Sequence, residues 1–281
     1  MIRQLAKIVI GFLFICPLLL PTVAETKNNQ RWVLEIGLSK EKYLLREPVW
    51  MDVTLTNVSQ DTLRSWLGPP CFGMFHIHVK DSLGKELPYT GVMLDGVWTE
   101  GFLMAAGEQL YDCLNLLDYF AGNRIAFWFG KFPLGEYSVT ATYRTEHSNE
   151  LRFEVVEPAG SEEEAYRIIL EAFSVRSMYP DSTAPLLQKL LEEYPESIYA
   201  ERALQKLDQG QNLLKRFPNS GFCSNSLRSL TRGMADDEKR NYLNEVKETF
   251  TGTRAAKFAE QMLMMLEKEA DKDTTEQEMR E

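Results

Sequence analysis

The pattern of the chain changes once, at Pro158-Ala159-Gly160, and that change governs what it can fold into. Before it, apolar residues alternate with polar ones in short runs broken by turn residues, the period of half-buried strands. After it, apolar residues recur three and four apart between charged ones, the period of a helix. All five tryptophans (Trp32, Trp50, Trp66, Trp98, Trp128) and eleven of the 17 glycines (Gly37 to Gly135) fall in the first part. A fold of one class throughout is therefore excluded. The expectation is a multidomain chain, β then α: an antiparallel β domain over 25–157, a linker at 158–160, a helical domain over 161–270 and a polar tail at 271–281. A length of 281 residues suits one or two domains.

Residues 1–24 read as an export signal and stand outside the fold. Arg3 and Lys7 give a positive start, Ile8–Leu20 is an apolar run, and Thr22-Val23-Ala24 offers compact residues at a cleavage site. The run is shorter than the ~20 apolar residues that span a bilayer. The implied location is periplasmic or secreted, in a bacterial envelope, with peripheral or no membrane contact after processing. Losing Arg3 and Lys7 takes the net charge from −10 to −12. Acids exceed bases on both sides of the break. That balance argues against nucleic acid, which selects basic stripes, and reads as general solubility.

Strands are expected at Trp32–Ser39, Val49–Asn57, Phe75–Val79, Gly107–Leu117, Tyr137–Tyr143 and Leu151–Val156. Val49, Met51, Val53 and Leu55 alternate with Trp50, Asp52, Thr54 and Thr56, so one set faces a core. In the helical part four echoes occur: Tyr179-Pro180-Asp181-Ser182, Tyr194-Pro195-Glu196-Ser197, Phe217-Pro218-Asn219-Ser220 and Phe250-Thr251-Gly252-Thr253. In each, an aromatic closes an apolar stretch and a hydroxyl residue is placed to cap the next helix. Small residues follow at Ala200 and Ala203, Cys223 and Ser226, and Ala256 and Ala259, where they let helices approach closely.

Two resemblances follow. Tyr43-Leu44-Leu45-Arg46-Glu47-Pro48-Val49, a strand ending Leu55-Thr56-Asn57, Ala106-Gly107-Glu108 and Pro133–Val139 resemble bacterial immunoglobulin-like domains, including protease-inhibitor domains of the BsuPI type. The resemblance covers 31–157 and implies an immunoglobulin-like antiparallel β-sandwich. Tyr194–Leu204 resembles the tetratricopeptide-type helical hairpins of bacterial envelope assembly proteins, over about 161–265. The spacing departs from the regular ~34-residue repeat, so the array is abbreviated, with a closed helical bundle as its competitor.

Chemistry-bearing residues are few. Cys71 and Cys113 share the β domain, and in an oxidising compartment they are candidates to pair. Cys223 replaces an alanine of the echoes and reads as a small buried thiol. His76 and His78 lie on one strand face with Met74, a pattern suited to copper, but Lys80 shares that face and the opposite face is the apolar one. The acids Glu162–Glu164 and Asp236–Glu238 read as first-turn residues favoured by the helix dipole. Asn57-Val58-Ser59 fits a glycosylation sequon. No hydrolase elbow, phosphate loop, dinucleotide fingerprint or zinc-protease motif occurs, and no cofactor is expected.

The function these features imply is a non-catalytic exported binding or scaffold protein of the cell envelope, acting through protein–protein interaction. Trp66 and Trp128 in the β domain, and Tyr199 and Phe222 near helix starts, are the candidate binding residues; the last two equally suit a core. Two alternatives stand beside it. One is a secreted protease inhibitor acting through the loop Trp66–Phe72; the other is a metal carrier using His76 and His78.

Overall fold

A computed structural model describes residues 30–65, 74–91, 102–120, 131–174 and 180–278. In chain order the strands are β1 (Trp32–Leu38), β2 (Lys42–Leu44), β3 (Trp50–Asn57), β4 (Leu63–Ser65), β5 (Phe75–Asp81), β6 (Phe102–Met104) and β7 (Gln109–Asn115). A short helix, α1 (Leu117–Phe120), precedes β8 (Gly135–Tyr143), β9 (Glu146–His147) and β10 (Leu151–Val156). Helices follow: α2 (Ser161–Ser174), α3 (Pro180–Glu193), α4 (Ala200–Lys206), α5 (Gly210–Arg216), α6 (Cys223–Leu230), α7 (Asp236–Thr249) and α8 (Arg254–Glu278). The chain is thus β in its first half and helical in its second. The last strand ends at Val156 and the first long helix begins at Ser161.

One sheet has the order β1-β3-β7, antiparallel throughout, and a second has the order β2-β10-β8-β5, with β9 beside β8. Among the described residues only the β2–β10 pairing is parallel. The expected alternation explains the core. Met51, Val53 and Leu55 of β3 are buried with Phe75, Ile77 and Val79 of β5, Val139 and Ala141 of β8 and Phe153 of β10, so both sheets feed one apolar cluster. Side chains of a strand point alternately to opposite faces, and here one face of each sheet meets the other. Asn57 closes β3 with a fully buried amide whose Nδ2 donates to the carbonyls of Asp61, Met104 and Ala105. Its sequon is therefore not a glycosylation site: the amide nitrogen is spent on the turn.

The echoes of the helical half share one turn. Ser197 N–H donates to Tyr194 O (3.1 Å), Ser220 N–H to Phe217 O (2.9 Å) and Thr253 N–H to Phe250 O (3.0 Å). Ser197 Oγ then accepts from Tyr199 N–H and Ser220 Oγ from Phe222 N–H, each at 3.2 Å. Tyr179 of the first echo lies outside the described residues. Ala200, Ala203, Cys223, Ser226, Ala256 and Ala259 are all buried, as their small size requires where helices touch.

The outer face of β3 is not solvent. Trp50 belongs to the helical core, where its ring meets Phe222 edge-on at 4.8 Å and its Nε1 donates to Glu201 Oε1 at 3.2 Å. A methyl group on Gly221 would lie 2.2 Å from the Trp50 ring, so this position must be glycine for the helices to reach the sheet. Tyr199 donates its hydroxyl to Leu45 O (2.9 Å), at the Leu44–Glu47 turn that carries part of the immunoglobulin-like resemblance.

Candidate binding site at the seam between sheet and helices

Two polar clusters hold the seam. In the first, Arg254, at the start of α8, grips Asp52 of β3 with two bonds, Nε to Oδ1 (2.8 Å) and Nη2 to Oδ2 (2.9 Å). Tyr111 of β7 donates its hydroxyl to the same carboxylate at 2.5 Å. Burial works against the Arg254 charge, but the Asp52 bonds outweigh it and hold its pKa above the ordinary range. Cys113 lies beside this cluster, its pKa raised well above normal mainly by burial, and a thiol in that state is a poor nucleophile.

The second cluster surrounds Glu201, which is buried and pushed up to about 7 by desolvation. Arg202 beside it is buried over the Phe173 ring (5.6 Å) and faces Asp118, which burial raises to about 6. These groups join strand half to helical half, with Glu201 and Arg202 buried and Asp118 at the solvent edge. Their chemistry is that of a structural polar layer.

One open feature among the described residues is a cleft of about 350 Å³ where β7, α6, α7 and α8 converge. The β3–β7 register pairs the even-numbered residues of β7 with β3 and turns the N–H groups of Tyr111 and Cys113 to the free edge. Tyr111 N–H donates to Gln261 Oε1 (3.3 Å), and Cys113 N–H to Asp112 Oδ1 (2.8 Å). Side chains thus cap a strand edge that would otherwise invite another strand. Leu110, Phe258, Met262, Met265 and Leu266 form the apolar wall, while Arg228 and Lys239 bring positive charge. Asp112 is the acid lining it, raised to about 6 by burial and lowered less by Arg228. Gln261 Nε2 is buried with no acceptor. A second cleft of about 690 Å³ shares Tyr111 and Gln261 with the first.

The expected site residues are scattered. Trp66, Trp128 and Cys71 lie outside the described residues, as does the Trp66–Phe72 loop and the segment 1–24. Tyr199 and Phe222 are both buried, Phe222 against Trp50 and Tyr199 against the Leu45 turn: they hold this chain's own β half rather than a partner. Cys113 carries a free thiol and packs against the helical core, on the sheet face away from the β core, while Cys71, its candidate partner, lies outside the described residues. Cys223 is a buried thiol, raised to about 12 by burial. His76 and His78 lie on the outer face of edge strand β5, where His78 Nδ1 is tied to Glu86 Oε1 at 2.6 Å. Among the described residues no group of three or more His, Cys, Asp and Glu is placed to hold a metal. None of their helices is long and apolar enough to cross a membrane. Sequence reasoning missed Asp52, Tyr111, Arg254 and the cleft: polarity at Asp52 was visible, but nothing local pointed to a partner 202 residues away.

No family model and no curated protein matches the sequence. Solved structures match only distantly. A β-glucosidase from Erythrobacter marinus is 14% identical with TM-score 0.29, over 44% of this chain and 15% of that one. A CARDB domain from Pyrococcus furiosus, solved with two metal ions, is 10% identical with TM-score 0.26, over 45% and 94%. The alkylpurine DNA glycosylase AlkC of Pseudomonas fluorescens is 13% identical with TM-score 0.28, over 44% and 30%. The chain spans about a sixth of the β-glucosidases it matches. At these scores none of the three informs function.

Proposed function

We propose that this is a non-catalytic, exported binding or scaffold protein of a bacterial envelope. Its immunoglobulin-like sandwich and abbreviated tetratricopeptide-like helices act as one rigid carrier of a protein-binding surface. The observation that supports the reading is the β7–α6–α7–α8 cleft, which both halves build and which pairs an apolar wall with a charged rim. Such a pocket, preformed and held by a polar seam, loses little entropy on binding. The buried acids and thiols nearby sit in the seam, where they brace rather than react. Export rests on residues 1–24, and a mature protein beginning at Glu25, by N-terminal sequencing, is the expected result.

Site-specific photocrosslinking in cells tests the binding reading. A crosslinking amino acid at Arg228 or Ser224, on the cleft, should trap a discrete partner that the same group at Glu171, on α2, does not. Identical patterns from both sites would overturn the reading.

A further inference from the structure

We propose that the cleft between β7 and helices α6, α7 and α8 takes a short peptide segment of a partner protein that presents an apolar side chain next to a carboxylate. This rests on the protein-binding reading above and names the chemistry of its partner. The volume, about 350 Å³, is at the low end of the ~300–1,000 Å³ of small-ligand sites. It suits one or two side chains. The wall of Phe258, Met262, Met265 and Leu266 is apolar, and its two methionines can re-pack around an aliphatic or aromatic guest.

Charge selects the neighbour of that guest. Arg228 and Lys239 line the cleft. The ion pair of the half-buried Lys239 is a loose one, to the exposed Asp236 Oδ1 at 4.0 Å, which is worth little. Arg228 is exposed, and its charge already acts on Asp112, the acid of the same cleft. The net charge of the whole chain is −10, whereas the cleft lining carries two bases against one acid, Asp112. Gln261 Nε2 supplies a buried donor that lacks an acceptor, and a ligand carbonyl or carboxylate would satisfy it. A peptide segment, rather than a small free acid, is the occupant because the cleft offers an apolar wall for one side chain and basic groups for its acidic neighbour.

The test uses the mature protein and two fluorescein-labelled octapeptide pools. Both carry leucine, methionine or phenylalanine at the centre; one flanks it with aspartate and glutamate, the other with lysine and arginine. Fluorescence anisotropy should show the acidic pool binding at least about tenfold tighter than the basic one, a preference that weakens with salt. Arg228→Glu with Lys239→Glu should abolish or reverse that preference. Both positions are surface charges, and an unchanged circular dichroism spectrum confirms the fold. Equal binding of the pools, binding of neither, or indifference to the double reversal overturns the proposal. So does saturable binding of octanoate in the cleft when neither pool binds, which would mark a site for small acids. If cleft crosslinks still trap a partner while the acidic pool fails, this inference falls and the wider reading stands.

Discussion

Asp52 and Arg254 form a contact across the seam in which the arginine is cut off from water and the aspartate is only partly exposed. The Arg254 side chain is 5% exposed and that of Asp52 24%. Truncating one partner of a buried pair strands the other charge, at a cost of about 3–5 kcal/mol, whereas replacing both by apolar residues of similar size is often near neutral. Asp52→Ala should therefore destabilise by about that amount, and Asp52→Leu with Arg254→Met by much less. Urea denaturation of single and double variants measures this, and additive losses would refute the coupling. Glu201 gives a pH signature. Its pKa is about 7 in the fold against an ordinary 4.5, so the folded state binds the extra proton between those values. Its contribution is favourable below pH 4.5, falls as pH rises toward 7 and stays reduced above. Asp112 and Asp118 shift from 3.8 to about 6 and act in the same direction. The melting temperature should drop from pH 5 to pH 8. Glu201→Gln should flatten that slope and recover on the order of 3 kcal/mol at pH 8. A wild-type slope of zero, or an unchanged slope in the variant, would contradict this assignment.

At the scale of elements, alternation and turn chemistry carried most of the fold. The runs Trp32–Ser39, Val49–Asn57, Phe75–Val79, Tyr137–Tyr143 and Leu151–Val156 were readable because each has one apolar face and strong end signals. They correspond to β1, β3, β5, β8 and β10. The short strands β2, β4, β6 and β9 were not, since two or three residues hold no period. The run Gly107–Leu117 became β7 followed by helix α1, because Asn115 ends the strand: its Oδ1 accepts from Leu117 N–H at 3.3 Å. The echoes were legible as repeated turns, yet their role was not. Tyr199 and Phe222 look alike in sequence to exposed anchors, and only the fold shows Phe222 buried against Trp50 of β3 and Tyr199 against the Leu45 turn. Gly221 gives the element-level test. Adding a methyl group there drives it into the rigid Trp50 ring, so α6 must move away from β3. Gly221→Ala should cost about 1–3 kcal/mol or more. Pairing it with Trp50→Leu, which clears the space, should restore part of the loss. A neutral Gly221→Ala would mean the helices do not press on the sheet as described.

At the scale of the molecule, the chain break at 158–160 is a change of secondary structure, but the two halves are not loosely strung. The seam joins them through Trp50 with Glu201, Leu45 with Tyr199, Asp52 with Arg254, and Lys268 with Glu108. Composition alone suggests two independent units, with proteolysis at the linker releasing a β-rich and an α-rich piece. The seam changes what those pieces would be. A fragment of residues 25–157 exposes Trp50, Tyr111 and Cys113, which the helices otherwise cover, together with the Asp52 carboxylate. An apolar sheet face laid bare in this way is an association surface. Calorimetry of the mature protein should therefore give one transition, with the calorimetric and van't Hoff enthalpies in agreement. The 25–157 fragment should melt lower than the whole protein and self-associate. Mixing it with the separately produced helical fragment should recover solubility, because the seam reforms. Two resolved transitions in the intact protein, or a 25–157 fragment as stable and monomeric as the parent, would show that the linker rather than the seam sets the cooperativity. The outcome bears directly on binding. The cleft draws β7 from one half and α6, α7 and α8 from the other, so only a protein that holds its halves as a unit keeps that cleft in shape between encounters.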